Sequence, residues 1–264
     1  MLAPSDFFEL NSFEHHRLFE GVGPVWNTLK NLKGYIAENI EPNVAGILKL
    51  GDTLPRTVVI HRGEIITDGF ELESGSPVKG EFTVKIDGEK AEGASVIYAG
   101  ASILDDDVQI GDGTVVEPGA LIKGPTIIGG SSEIRQGAYI RGSTLVGERC
   151  IVGHATEMKN AVMLNRVTAG HFAYIGDSIL GSDVNLGAGT KLANLSIIKT
   201  PVNLRIDGVV HRTGLKKFGA IIGDSCETGC NSVTSPGTIL GKKSIVVPNA
   251  TVPNGFHPAR SIIR

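Results

Sequence analysis

Residues 98–158 read YAGASILDDDVQIGDGTVVEPGALIKGPTIIGGSSEIRQGAYIRGSTLVGERCIVGHATEM. Every sixth residue of this stretch is apolar: Tyr98, Leu104, Ile110, Val116, Ile122, Ile128, Ile134, Ile140, Val146, Val152 and Met158. Neither an α-helix nor a pleated strand repeats every six residues. A hexapeptide period is the signature of a parallel β-helix, a solenoid of stacked coils. Interrupted by two five-residue steps, the series continues through Met163, Ala169, Ile175, Leu180, Leu186 and Leu192. It returns as Ile222, Thr228, Thr234, Leu240, Val246 and Val252. Three hexapeptides make a triangular coil of about 18 residues with a short strand on each side. Neighbouring coils stack ~4.8 Å apart. Residues 98–194 supply about five such coils, and residues 222–256 about two.

Outside this rhythm the chain changes character. Residues 195–220 lack the period and contain LRIDG and the basic Leu215–Lys217. A long irregular excursion from a rigid solenoid reads as a functional loop. In residues 1 to 50, the residues Phe7, Phe8, Phe13, Phe19, Val25, Trp26, Leu29, Leu32 and Ile36 suggest one or two amphipathic helices. The clearest covers Pro24–Glu38, with proline near its start. Solenoids need their open ends covered, and this helical segment is a candidate cover for one end. Residues 51–90 read as strands joined by turns at Asp68-Gly69 and Asp87-Gly88. The expected organisation is a helical and strand segment over residues 1–90, then a β-helix domain over 91–264 with a loop at 195–220.

The chain of 264 residues carries a formal net charge of −3, so no nucleic-acid partner is expected. The three cysteines, Cys150, Cys226 and Cys230, are too few and odd in number for a disulfide scaffold. Cys226 and Cys230 have no second pair or nearby histidine to complete a zinc set, and read as structural thiols. No basic n-region leads into an apolar run, and no stretch of ~18 apolar residues could span a bilayer. A cytoplasmic protein without a membrane partner is expected.

Within residues 141–194 lies GHATEMKNAVMLNRVTAGHFAYIGDSILGSDVNLGAGTKLAN. The ordered motifs T-E-M-K, A-G-H-F-A-Y-I-G-D and V-N-L-G-A-G-T, with KKFGAIIGD beyond the loop, carry a resemblance. They resemble the glucosamine-1-phosphate N-acetyltransferase half of the bifunctional bacterial and archaeal enzymes that make UDP-N-acetylglucosamine. The likeness is closest over residues 141–224. It implies an all-β fold, a left-handed parallel β-helix with a small N-terminal α+β segment. The hand comes from the resemblance, because parallel crossovers are otherwise right-handed. It also implies acetyl-CoA as acyl donor, a phosphorylated amino sugar as acceptor, no metal requirement, and a homotrimer with each site between neighbours. No G-x-G-T-R-M nucleotidyltransferase entrance occurs in residues 1–90. The chain is therefore not expected to make UDP-sugars by itself.

Acyl transfer from coenzyme A to an amine needs a base, since an ammonium group cannot attack a thioester. Histidine is suited because its unperturbed pKa of about 6.5 lies near working pH. By resemblance His171 is that base. A sugar 1-phosphate needs fixed cations. The resemblance assigns Arg141 and Lys159 to the phosphate, with a hydroxyl from Tyr174. Arg141 and Lys159 are 18 residues apart, one full coil, which stacks them on the same edge. Lys217 corresponds to a lysine near phosphate and sugar, Asn185 and Asn194 to sugar-contacting asparagines. The backbone at Ala188 borders the thioester, where an amide can stabilise an oxyanion. Glu157 could orient the base or pair with a lysine.

Two departures fall on the sugar side. His154 stands where the family has asparagine, and A-N-L-S replaces N-Y-D-G around Asn194. A second stretch, Asn203–Gly208, competes with Asn194 for that alignment. The alternatives are an acyltransferase on another phospho- or nucleotide-sugar and a non-catalytic sugar-phosphate-binding solenoid. A zinc carbonic anhydrase of the same fold needs a close histidine pair that His154, His171 and His211 do not provide.

Overall fold

A computed structural model describes residues 2–48 and 52–264. Short strands stack into three sheets of eleven, eight and eight strands that form the sides of a parallel solenoid. Equivalent positions of successive coils pair in register: Leu121 with Tyr139, and Tyr139 with Glu157. The eleven-stranded sheet has nine parallel rungs, from Ser95–Ile97 to Ile262–Ile263. The solenoid therefore begins earlier and ends later than the six-residue rhythm indicates.

The hexad residues from Ile110 onward line the interior. The first two do not. Ile97 and Ile103 face inward instead, while Tyr98 packs outside and Leu104 is exposed. One extra residue in the Asp105–Asp107 stretch restores the register at Ile110.

The three faces have different fates. One eight-stranded sheet contains Thr126–Ile128, Thr144–Val146, Ala161–Met163, Ile179–Leu180, Ala220–Ile222 and Thr238–Leu240. Its outward residues Ile127, Leu145, Val162, Ile179, Ile221 and Ile239 are buried beneath Phe7, Phe13, Trp26, Leu29, Leu32 and Ile36. Strands buried on both sides read as unbroken apolar runs, which is why the outward positions of this "clad face" are apolar from Ile127 to Ile239, Gln109 at its start excepted. The N-terminal helical segment thus lies along a face and does not cover an end. The end is closed by Val44, Ile47 and Leu54, which extend the solenoid core, and by Val58–His61 pairing antiparallel with Ser95–Ile97. The longest helix is Thr28–Asn39, preceded by a single 3₁₀ turn at Val25–Asn27. Residues 70–90 form a small antiparallel sheet whose Leu72 and Val84 pack on Val59 and Val96, outside the third, eleven-stranded face.

Residues 195–220 are more ordered than expected. Asn203–Ile206 and Val209–Arg212 form a hairpin around Asp207-Gly208, both with positive φ (50° and 78°). That is the Asp-Gly turn whose twist matches paired strands. Val202 and Leu204 enter the apolar layer of the clad face, and His211 stacks edge-on against Trp26 at 6.0 Å. Trp26 therefore joins N-terminal segment, hairpin and solenoid. Trp26→Ala should cost about 3–5 kcal/mol, or about 10 °C in melting midpoint for a chain of this size. A thermal unfolding curve shifted by less than about 2 °C would show that this layer does not stabilise the solenoid. Among the described residues no helix is long and apolar enough to cross a membrane.

Candidate active site

The other eight-stranded sheet, the site face, contains Tyr139–Ile140, Glu157–Lys159, Tyr174–Gly176 and Lys191–Leu192. Alternation puts Ile140, Met158, Ile175 and Leu192 in the core and Tyr139, Glu157, Tyr174 and Lys191 in a matching column outside. At one edge of this face the chain turns toward the clad face. There Arg141, Lys159 and Gly176 occupy equivalent places on successive coils: the Arg141 amide donates to the Met158 carbonyl, and Lys159 pairs with Gly176. The two five-residue steps, Met158 to Met163 and Ile175 to Leu180, fall at this corner. The shortened turns run through Asn160 and Asp177, both in the left-handed conformation (φ 45° and 48°).

The 195–217 excursion leaves and re-enters the solenoid at this same corner. The Phe218 amide donates to the Asn194 carbonyl, the Gly219 amide to the Asp177 carbonyl, and Leu195 bridges to Lys217. The ends of the insertion thereby bring Asn194 and Lys217 to the Arg141–Lys159 column. Lys217 lies close enough to Lys159 for its charge to affect it. Gly176 leaves room for the convergence: a Cβ there would come within 2.6 Å of the Tyr174 hydroxyl and 2.7 Å of the Asn194 amide nitrogen.

Electrostatically this is a cationic cluster with built-in carboxylates. Glu157 accepts a 2.6 Å charge-assisted hydrogen bond from Arg141, so its partner is an arginine of the cluster. Burial lowers the Lys159 pKa from 10.5, Lys217 and Arg141 lower it further, and Asp177 opposes them. Burial, with Glu157 adding to it, raises the Tyr174 phenol above its usual 10.0, so it stays a neutral donor.

His171 stands at the opposite edge of the site face. It ends the strand Thr168–His171, is exposed, and pairs in register with His154 one coil before. Phe172, 54% exposed with φ 53°, sets its ring against both imidazoles, 5.2 Å from His154 and 6.2 Å from His171. The His154 Nδ1 is 2.9 Å from the Gln136 carbonyl. Ala188 lies at the same corner one coil further on, where the Gly189 amide donates to the His171 carbonyl. The two edges are joined by the left-handed bend at Phe172 and the strand Tyr174–Gly176.

Of the candidate residues, the structure gathers Arg141, Lys159, Tyr174, Asn194 and Lys217 at one edge and His171 and Ala188 at the other. Asn185 stands apart on the third face, where its amide donates to Glu227 at 2.9 Å. Asn203 is in the hairpin and paired with Arg212, away from the cluster. Asp177 and Asn160, which sequence reasoning passed over, sit beneath it. Their signal was the pair of five-residue steps. Cys226 is a buried thiol raised by burial to about 11, whereas Cys230 is exposed. His211, on the clad face, is remote from His154 and His171. Among the described residues no group of three or more His, Cys, Asp or Glu is arranged to hold a metal ion.

The family described as GMPPB C-terminal domain matches residues 122–215. The bifunctional sugar-1-phosphate nucleotidylyltransferase/acetyltransferase of Sulfurisphaera tokodaii is 32% identical over 223 residues, covering 81% of this chain and 54% of that protein. The bifunctional protein GlmU of Methanococcus vannielii is 39% identical over 105 residues, 40% of this chain and 25% of its own length. The chain spans about half the length, or less, of these bifunctional relatives. The uncharacterized acetyltransferase YaiX of Escherichia coli is 35% identical over 177 residues, 64% of this chain and 77% of that protein. A solved UDP-N-acetylglucosamine acyltransferase from Francisella novicida is 17% identical with a TM-score of 0.25, covering 63% of this chain and 65% of that one. The hexapeptide solenoid, the ordered motifs and these relatives agree that the chain belongs to the hexapeptide-repeat acetyltransferase family that includes YaiX and the acetyltransferase-type region of the GlmU proteins.

Proposed function

We propose that this chain is an acetyl-CoA-dependent N-acetyltransferase acting on an amino-sugar 1-phosphate such as glucosamine 1-phosphate. The observation that carries the reading is the convergence of Arg141, Lys159, Lys217, Tyr174 and Asn194 from separate coils and both ends of the insertion, across one face from an exposed histidine. Three cations beside a neutral phenol suit a dianionic phosphate ester. The amine, carried by the ring carbon next to the phosphorylated one, then points toward His171. The imidazole takes the amine proton as the nitrogen attacks the thioester carbonyl. The oxyanion forms beside the Ala188 backbone. Collapse expels the coenzyme A thiolate, which takes the proton back from the imidazolium.

The clad face supports a site shared between copies. With the N-terminal segment and hairpin over one side of the prism and the 70–90 sheet over the first rungs of the third face, the site face and the rest of the third face are the surfaces through which copies would meet. In a trimer built this way, the third face of a neighbour, with Asn185, adjoins the site face. A second reading, an amino-sugar phosphate other than glucosamine 1-phosphate, draws on His154 beside His171, a departure on the sugar side. The test is thiol release from acetyl-CoA with a panel of amino-sugar 1-phosphates. Release with glucosamine 1-phosphate supports the first reading, and release with another member alone supports the second. No release with any member overturns both.

A further inference from the structure

We propose that Asp177 is a positioning residue of the acceptor site, which turns the Asn194 amide so that its carbonyl oxygen faces the bound sugar and balances the lysines that grip the phosphate. The proposal rests on the acetyltransferase reading above and deepens it. Aspartates occupy several left-handed corners of this chain, including Asp183 and Asp207 (φ 61° and 50°). Short polar side chains tolerate that conformation, so position alone assigns no role. Asp183 meets Arg166 near the surface, and Asp207 serves the hairpin turn. Asp177 differs in being only 5% exposed while lying directly beneath the cationic cluster.

A buried carboxylate needs partners. Asp177 has them on both oxygens: Asn160 donates to Oδ1 at 2.9 Å, and Asn194 donates to Oδ2 at 2.5 Å. A carboxylate only accepts, so it fixes which end of the Asn194 amide it meets. With the nitrogen held by Asp177, the oxygen of Asn194, a residue only 9% exposed, is the end we assign to the ligand. An oxygen in that place accepts from a hydroxyl or N–H and repels a carboxylate. The acceptor is therefore a sugar with a donor there, and a uronic-acid-type substituent is excluded.

The second role is electrostatic. The groups facing Lys159 are Asp177 on the next coil, Lys217 at the end of the insertion and Arg141 on the preceding coil; Tyr174 and Glu157 lie on the site face. Glu157 is taken up by Arg141. That leaves Asp177 as the carboxylate acting on Lys159, and it favours the ammonium form against burial and two like charges. Without it, Lys159 gives up its proton at lower pH, and phosphate binding weakens accordingly.

Asp177→Asn is the test, with full-length protein, acetyl-CoA and the amino-sugar 1-phosphate that wild type acetylates. KM for the sugar should rise by about 10-fold or more, the effect of losing a charge-assisted hydrogen bond, while kcat stays within about 3-fold. The alkaline rise of KM should also move to lower pH. Asn194→Ala should raise KM without moving that limb, since it leaves Asp177 charged. A structural role alone would lower the melting temperature and leave the limb in place. Unchanged KM and an unmoved limb in folded Asp177→Asn overturn the proposal. Should that variant not fold, Asn194→Asp, which cannot donate to Asp177 as a carboxylate, must give the same KM rise, and a normal KM there overturns it equally. A wild type that acetylates no amino-sugar phosphate defeats the functional reading itself, a result distinct from an active wild type matched by its Asp177 variant.

Discussion

His171→Ala should lower kcat by about 100-fold or more, the usual share of a positioned general base, while leaving the melting temperature and the affinity for the phosphorylated sugar unchanged. The structure makes both halves of that expectation specific. The His171 side chain is exposed at the end of its strand and contributes nothing to the interior, whose neighbouring positions are filled by Ala169 and Ala173. Removing it opens no cavity. The cationic cluster proposed to hold the phosphate lies at the far edge of the face, so ground-state binding is not expected to pass through the imidazole. The loss should therefore fall on kcat and kcat/KM together. His154, one coil away and in register, is the internal control. If catalysis depends on any imidazole at that corner, His154→Ala should match His171→Ala. If His171 is the base, His154→Ala retains most of the turnover. Normal turnover in His171→Ala, measured by thiol release, would refute the general-base assignment.

Lys159→Met should raise KM for the sugar phosphate by about 100-fold, the upper range for a hydrogen bond to a charged partner, with kcat nearly unchanged. Its pH behaviour separates it from a surface lysine. Burial and the neighbouring Lys217 and Arg141 place its pKa below 10.5 in the free protein. A bound dianion favours the ammonium form. Affinity is then full while Lys159 is protonated and falls as pH rises through its lowered pKa. Within that window sugar-phosphate binding takes up a proton. Wild-type KM should thus climb at alkaline pH sooner than an ordinary lysine would allow. In Lys159→Met that climb should be absent, and calorimetry in buffers of different ionisation enthalpy should show no proton uptake. An alkaline climb that persists in the variant would assign the titration to another group.

Several of these residues could be found before any fold was known. The motif A-G-H-F-A-Y-I-G-D singled out His171 and Tyr174, and the 18-residue separation of Arg141 and Lys159 forecast their stacking, because a full coil of three hexapeptides returns the chain to the same edge. The hairpin was harder to read. Its strands are only four residues each, and Val209-Val210 breaks the alternation of Leu204–Ile206, so the clearest local sign was Asp207-Gly208. The clad face left a trace that the six-residue count ignores: the residue before the hexad position is apolar in Ile127, Leu145, Val162, Ile179, Ile221 and Ile239. One apolar outward residue per coil predicts a covering layer, though not what covers it.

The chain by itself determined the solenoid, because a six-residue apolar period can be buried only by coiling, and any other arrangement strands the Ile, Val and Leu series in water. It also determined the chemistry-bearing motifs. Only the tertiary structure decided that residues 2–40 lie along a side of the prism, that the 195–217 insertion closes on the corner it left, and that Asp177 is buried under the cations. These placements join positions far apart in the chain through apolar burial and hydrogen bonds between segments. A local repeat carries no information about which distant surface a segment will cover.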